Sequence, residues 1–227
     1  MRTDARGFTL IEIAIVLVIV GMLLGGVLKG QELLTGARVR NLISQEEGIK
    51  AAYFGFQDRY RALPGDYASA DVNIRCGAVL CANGDGNGRI DAPNAGGTHE
   101  ELVVWNHLSA AGFLNGSFTF TAADATPTDA NSPKNAYSVY MQLAYDNNYG
   151  TGAPPYRHNM KTGGQIPVEI VAEIDRKVDD GNPYTGAFQF SIYAAGGATA
   201  PSPSTCINGN NWNIQGGETN CAAASLF

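Results

Sequence analysis

Apolar side chains fill the chain almost without interruption from Phe8 to Leu28, and Glu12 is the single charge in that run. A helix rises 1.5 Å per residue, so about 20 such residues cross the hydrocarbon core of a bilayer. Beyond Leu28 the pattern changes rather than stops. Leu33, Leu34, Ala37, Leu42, Ile43, Ile49, Ala52, Tyr53 and Phe56 recur at steps of three and four, while Arg38, Arg40, Gln45, Glu46, Glu47, Lys50 and Asp58 take the wet positions between them. No proline precedes Pro64. The periodicity therefore predicts one helix from Phe8 to Tyr60, with a membrane-length half over 8–28 and an amphipathic half over 29–60.

The remaining chain, 61–227, reads as one globular domain with its own core. Thr98-x-x-Glu101 resembles a capping box, and Leu102, Trp105, Leu108 and Ser109 mark one face of a helix ending near Gly112. Ala136 to Tyr145 alternates Tyr137, Val139, Met141, Leu143 and Tyr145 against smaller or polar residues, and Ala187 to Tyr193 puts Phe188, Phe190 and Ile192 on one face. Both segments predict half-buried strands. Pro167 opens and Gly181 closes a short helix, since proline suits the first helical turn and glycine the position past the end. The stretches 65–97, 120–135 and 146–165 read as irregular.

A basic start followed by an apolar run also describes a secretory signal peptide, but no Ala-x-Ala cleavage site follows Leu28 cleanly. The break in character comes before the run. Gly7-Phe8-Thr9-Leu10-Ile11-Glu12 resembles the cleavage and methylation site of type IV prepilins and type II secretion pseudopilins. That resemblance is carried by residues 1–60. It implies a leader of Met1–Gly7, cleavage after Gly7 by a prepilin peptidase, and N-methylation of the new terminus at Phe8. It further implies an α+β, pilin-like fold in which the long N-terminal helix, membrane half plus head half, packs on a small antiparallel sheet with irregular, disulfide-closed loops.

Arg2 and Arg6 belong on the cytoplasmic side by the positive-inside bias, which leaves a single-pass chain in the bacterial inner membrane with its head outside the cytoplasm. Assembly into a pilus or pseudopilus, periplasmic or extracellular, is the expected next state. A carboxylate at the bilayer centre costs about 2.5–3.5 kcal/mol on insertion scales. The resemblance supplies a partner for Glu12 in the charged amine of Phe8 on a neighbouring subunit; a glutamate that snorkels to the headgroups is the alternative. Gly21, Gly25, Gly26, Gly30 and Gly36 each weaken a helix by up to about 1 kcal/mol. They read either as points where the helix melts on assembly or as close-packing positions in the membrane.

Net charge is −6 and the isoelectric point near 5.0, with basic residues scattered, so nucleic acid is not an expected partner. All four cysteines fall in the exported part, as an oxidising compartment favours. Four cysteines allow three pairings; the two local ones, Cys76 with Cys81 and Cys206 with Cys221, are preferred. The second resembles the disulfide-bounded C-terminal loop of many pilins and encloses Trp212. Zinc is the weaker alternative, because Cys76-x4-Cys81 lacks a matching His or Cys pair at finger spacing.

One segment carries metal chemistry. Asn83, Asp85, Asn87, Gly88, Arg89 and Asp91 fill the first, third, fifth, sixth, seventh and ninth places of a calcium loop, with Arg89 contributing a backbone carbonyl. Asn94 stands where a bidentate glutamate is expected, and Asn83 where aspartate usually leads, so calcium affinity should be low. Glu100 or Glu101 is available to complete the shell. A plain Gly/Asn turn explains the same residues without a metal.

Enzyme signatures are absent. His99-Glu100-Glu101-Leu102-Val103 begins like a zinc-protease motif but has valine at the second histidine place. No Gly-x-Ser-x-Gly, phosphate loop or dinucleotide fingerprint occurs, and His99, His107 and His158 read as surface or cap residues. Leu63-Pro64-Gly65-Asp66, Trp105 to Phe113 and Ile174 to Gly181 also resemble segments of large, uncharacterised prepilin-like proteins. The expected role is a structural filament subunit joined to other pilin or pseudopilin subunits. The alternatives are a minor pseudopilin or tip module of a type II secretion system with calcium-dependent binding, and a membrane protein that never polymerises.

Overall fold

The computed structural model describes residues 9–77, 79–195 and 197–227, with Val79 described by its backbone alone. Helix α1 runs from Leu10 to Tyr60. The chain divides into two units, Met1–Arg38 and Val39–Phe227. In the first, every described residue up to Lys29 is exposed, and α1 is long and apolar enough to cross a membrane. Gly7 and Phe8 lie outside the described residues.

In the second unit, α1 buries Val39, Leu42, Glu46, Ile49, Ala52, Tyr53 and Phe56, a stripe at three- and four-residue spacing. That stripe serves two apolar clusters in succession. Val39 and Leu42 pack with Ile170, Val171 and Ile174 of α4 (Val168–Val178), Phe188 and Phe190 of β5 (Phe188–Phe190) and Trp212. About two turns further, Ile49, Ala52 and Phe56 pack with Val104, Trp105 and Leu108 of α3 (Glu100–Ala110), Leu143 of β3 (Gln142–Asp146) and Met160 of β4 (Arg157–Lys161). Each such large side chain, fully buried, is worth roughly 1.5–3 kcal/mol. These contacts hold the second half of α1 against the head.

The main sheet has the order β3-β4-β8-β5, with β8 at Ala223–Leu226, and all three pairings are antiparallel. Its open edge at β3 is closed by loops, since Tyr145 donates to Ile90 O and Met141 to Pro133 O. A short helix α2 (Ala70–Asn73) leads into a hairpin of β1 (Arg75–Cys76) and β2 (Val79–Leu80), and the Cys76–Cys81 disulfide closes it. Near the end, α5 (Pro203–Cys206), β6 (Ile207–Asn208) and β7 (Asn211–Trp212) form a loop tied at its base by Cys206–Cys221.

Several expectations need correction. The segment 136–145 is a strand only from Gln142: Asn135 Oδ1 accepts the amides of Tyr137 and Val139, and Ser138 sits at φ +63°, so Tyr137 and Val139 belong to a side-chain-capped turn. Strand β4 lies inside a stretch read as irregular. Its residues are mostly polar, and two of them, Asn159 and Lys161, are buried with 0 % exposure, so no apolar alternation announces it. The cap of α3 is His99, without a side-chain cap bond; Glu101 instead meets His99 Nδ1 at 2.7 Å, and Asn94 Oδ1 takes the Thr98 amide at 3.0 Å. The Thr98/Glu101 capping box does not form.

Candidate functional site

Two places in the chain concentrate polar chemistry. The first is the start of α1. Thr9 precedes Leu10 as the capping residue, and its Oγ1 accepts the Glu12 amide at 3.3 Å. Glu12 Oε2 in return accepts the Thr9 amide at 2.8 Å and the Thr9 hydroxyl at 2.7 Å. This is a reciprocal capping box, which satisfies two of the amides that a helix start leaves without partners. Glu12 Oε1 takes no hydrogen bond among the described residues. The carboxylate thus holds the helix start with one oxygen and presents the other.

The second place is the loop between β2 and α3. It is wrapped around two buried carboxylates that come from outside it. Asp66, from the turn after α1, accepts Asn87 N–H at 3.0 Å and Gly88 N–H at 2.8 Å, while its backbone carbonyl accepts Gly86 N–H. Glu100, the first residue of α3, accepts Asp85 N–H and Asp91 N–H at 2.9 Å each and Asn94 Nδ2 at 2.8 Å. Asp66 is 4 % exposed and Glu100 not at all. Burial pushes both carboxyls above their usual range, against the lowering effect of the donated amides.

Close approach dictates the glycines. A Cβ on Gly84 would sit 2.4 Å from Asp66 Cα, and one on Gly65, at φ +92°, 2.8 Å from Glu100 O. His107 ties the turn after α1 to the start of the loop: Nδ1 accepts Gly65 N–H at 3.0 Å and Nε2 donates to Ala82 O at 2.8 Å. Accepting at one nitrogen and donating at the other requires the neutral ring. Burial agrees, pushing the imidazole down to about 4. His107 is therefore an interior strut, correcting its reading as a surface or cap residue.

Of the residues placed in the calcium loop by spacing, Asp85, Asn87 and Asp91 form one connected group: Asn87 Nδ2 donates to Asp85 Oδ2 at 3.1 Å and to Asp91 Oδ2 at 2.8 Å. Asn83 faces away, exchanging hydrogen bonds with Asp71 at 2.9 and 3.0 Å. The Arg89 guanidinium lies 5.1 Å from the centre of the Tyr145 ring. Asp85 converges instead with Asp66 and Glu100, one oxygen of each lying within 4.8 Å of the others. Two oxygens on opposite sides of a calcium ion, at about 2.4 Å each, are about that far apart. The all-oxygen, three-carboxylate set suits a hard divalent cation. Asp66 was missed because it lies outside the loop; the Leu63-Pro64-Gly65-Asp66 turn was the available signal.

A family described as the prokaryotic N-terminal methylation motif matches residues 2–28. No curated protein and no solved structure matches the chain. The match covers the capping box and the apolar half of α1; the acidic loop lies outside it. The start of this chain carries the N-terminal methylation signature of type IV prepilins and pseudopilins.

Proposed function

We propose that this protein is a structural subunit of a type IV pilus-like filament, cut after Gly7 by prepilin peptidase, N-methylated at Phe8, and assembled with other pilin or pseudopilin subunits through its N-terminal helix. The observation that carries the reading is Glu12. An apolar, exposed helix half explains membrane anchoring, but a carboxylate kept near the start of it, where ionisable groups are costly against lipid, needs a use. One oxygen caps the helix and the other is open to a cation, which the amine of Phe8 on an adjacent subunit supplies. The reading assigns the chain no catalysis.

Mass spectrometry of the N-terminal peptide from sheared surface material and from inner membrane tests this. Methylated Phe8 in sheared material is the expected result, and an intact Met1–Gly7 leader in both fractions overturns it. Glu12→Ala should block assembly while leaving the chain in the membrane.

A second reading, a minor pseudopilin or tip module of a type II secretion system, is favoured by the Asp66–Asp85–Glu100 convergence. Under it, calcium at these three residues fixes the loop for binding. Ligand selective for the folded state adds RT ln(1 + [L]/Kd), about 2.7 kcal/mol at 100 Kd. Thermal melting of the detergent-solubilised chain should rise with millimolar calcium over chelator, and Asp85→Ala should abolish the rise. An unchanged midpoint removes calcium from the account.

A further inference from the structure

Lys161 closes strand β4 with its side chain wholly buried. Its Nζ lies 2.6 Å from Asp146 Oδ2, 3.0 Å from Gln142 Oε1 and 5.6 Å from the centre of the Tyr193 ring. Asp146, at the end of β3, is fixed from the other side. Its Oδ1 accepts Asn159 Nδ2 at 3.0 Å and Asn148 N–H at 3.1 Å, and Asn148 Nδ2 reaches Oδ2 at 3.3 Å. Glu101 of α3 is near enough to interact electrostatically with Lys161. It is 8 % exposed, its Oε1 meets His99, and its Oε2 is buried with no hydrogen-bond partner.

We propose that Lys161 Nζ and Asp146 Cγ become joined by an amide bond, so that the head of the mature protein is internally cross-linked between β4 and β3. Two charges taken out of water carry a desolvation penalty that their mutual attraction repays only partly. Condensation removes both charges. The amine and the carboxylate that would condense are already held together by a 2.6 Å hydrogen bond, and groups positioned on one another in this way gain large effective molarities once the nitrogen swings over the carbon.

The step balances without any oxidant or co-reactant. One proton passes from Nζ to Oδ2 along their hydrogen bond, giving amine and carboxylic acid. The amine nitrogen attacks Cγ, and charge develops on Oδ1, where the Asn159 and Asn148 N–H groups are already aimed, as in an oxyanion hole. The bond from Cγ to Oδ2 then breaks and Oδ2 leaves as water, its second proton coming from the nitrogen through Glu101. Burial favours the neutral participants: it lowers the Lys161 ammonium and raises the Glu101 carboxyl. Asp146 is the opposing term. Burial raises it, but the Lys161 charge and the donors around it hold it below the usual range, so the proton transfer within the pair is the slow requirement.

Tryptic mapping of the full chain purified from its own membrane reads the bond directly. Trypsin cuts after Lys134, Arg157, Lys161 and Arg176 in an unlinked chain and releases the fragment 158–161. A linked chain resists cleavage at Lys161 and yields a branched peptide joining 135–157 to 158–176, lighter by one water than the sum of its parts. Lys161→Arg keeps both the charge and the cleavage site and should yield linear 135–157, 158–161 and 162–176; Glu101→Gln should leave most molecules unlinked. Recovery of free 158–161 from natively folded wild-type protein overturns the proposal, and linkage undiminished in Glu101→Gln overturns the proton-carrying role of Glu101.

Discussion

The indole nitrogen of Trp212 donates to Asp175 Oδ2 at 2.6 Å, joining the loop closed by Cys206–Cys221 to the buried face of α4. Gly181 N–H adds a second donor at 3.2 Å. Trp212→Phe keeps the ring but leaves a buried carboxylate short of a partner, at a cost of about 1–3 kcal/mol. The denaturant midpoint at neutral pH should fall accordingly.

Burial pushes Asp175 up to about 6, against the Trp212 and Gly181 hydrogen bonds and with Asp180 and Asp179 adding to the rise. The folded state therefore holds this proton more tightly than the unfolded chain. Its contribution to stability is full below pH 3.8 and is lost as pH rises through 6. Asp175→Asn should flatten that part of the stability profile, measured by thermal melting from pH 4 to pH 7.

Glu46 is the stronger case of the same sign. It sits on α1 between the two apolar clusters, 3 % exposed, with Oε1 lacking a partner. Burial pushes it up to about 8, partly offset by Lys50 and reinforced by Glu47. The folded chain keeps it neutral at pH 7, and stability declines as pH rises from 4.5 to about 8. Glu46→Gln should raise stability above pH 8 by roughly 2–4 kcal/mol and change little near pH 4.5.

His107 acts in the opposite direction. Its imidazole is held down to about 4, burial outweighing the hydrogen bond to Ala82. The stability it contributes is complete above pH 6.5 and is lost as pH falls through 4. Ring protonation forbids acceptance of Gly65 N–H but keeps the Nε2 donation to Ala82 O, so acid should release the turn at Gly65. Amide exchange at Gly65 should accelerate before global melting begins.

Gly84→Ala should be costly for a steric reason. The added carbon meets Asp66 Cα and Gly65 O at 2.4 Å, both backbone atoms of a tight turn. Overpacking of this kind costs about 1–3 kcal/mol. Proteolysis within 82–97 should increase, and any calcium-dependent rise in melting temperature should vanish with it.

The long helix was plain in the sequence because apolar periodicity is a local signal, and both disulfides join cysteines close along the chain. Capping was legible but placed at the wrong helix. Thr98-x-x-Glu101 has the spacing, yet Glu101 is claimed by His99, whereas Thr9-x-x-Glu12 forms the reciprocal bonds inside a segment read only for its membrane and partner chemistry. Strand β4 was hidden by Asn159 and Lys161, whose burial depends on partners in β3 that no local pattern reveals. For the acidic loop, sequence spacing picks out Asp85, Asn87 and Asp91 and offers Glu100 for the shell, but Asp66 reaches the loop from the turn after α1. A motif confined to one loop cannot express carboxylates brought by the fold.

The position of β8 sets an order on maturation. Strands β4 and β5 do not pair with each other; each pairs with β8, the latest of the four along the chain. An emerging polypeptide can form the β3–β4 pair early, but β5 has no place in the sheet until Ala223–Leu226 arrives. Through that interval Phe188 and Phe190 have α1 and α4 to pack on but no strand to pair with, the condition in which an open strand edge is prone to aggregate.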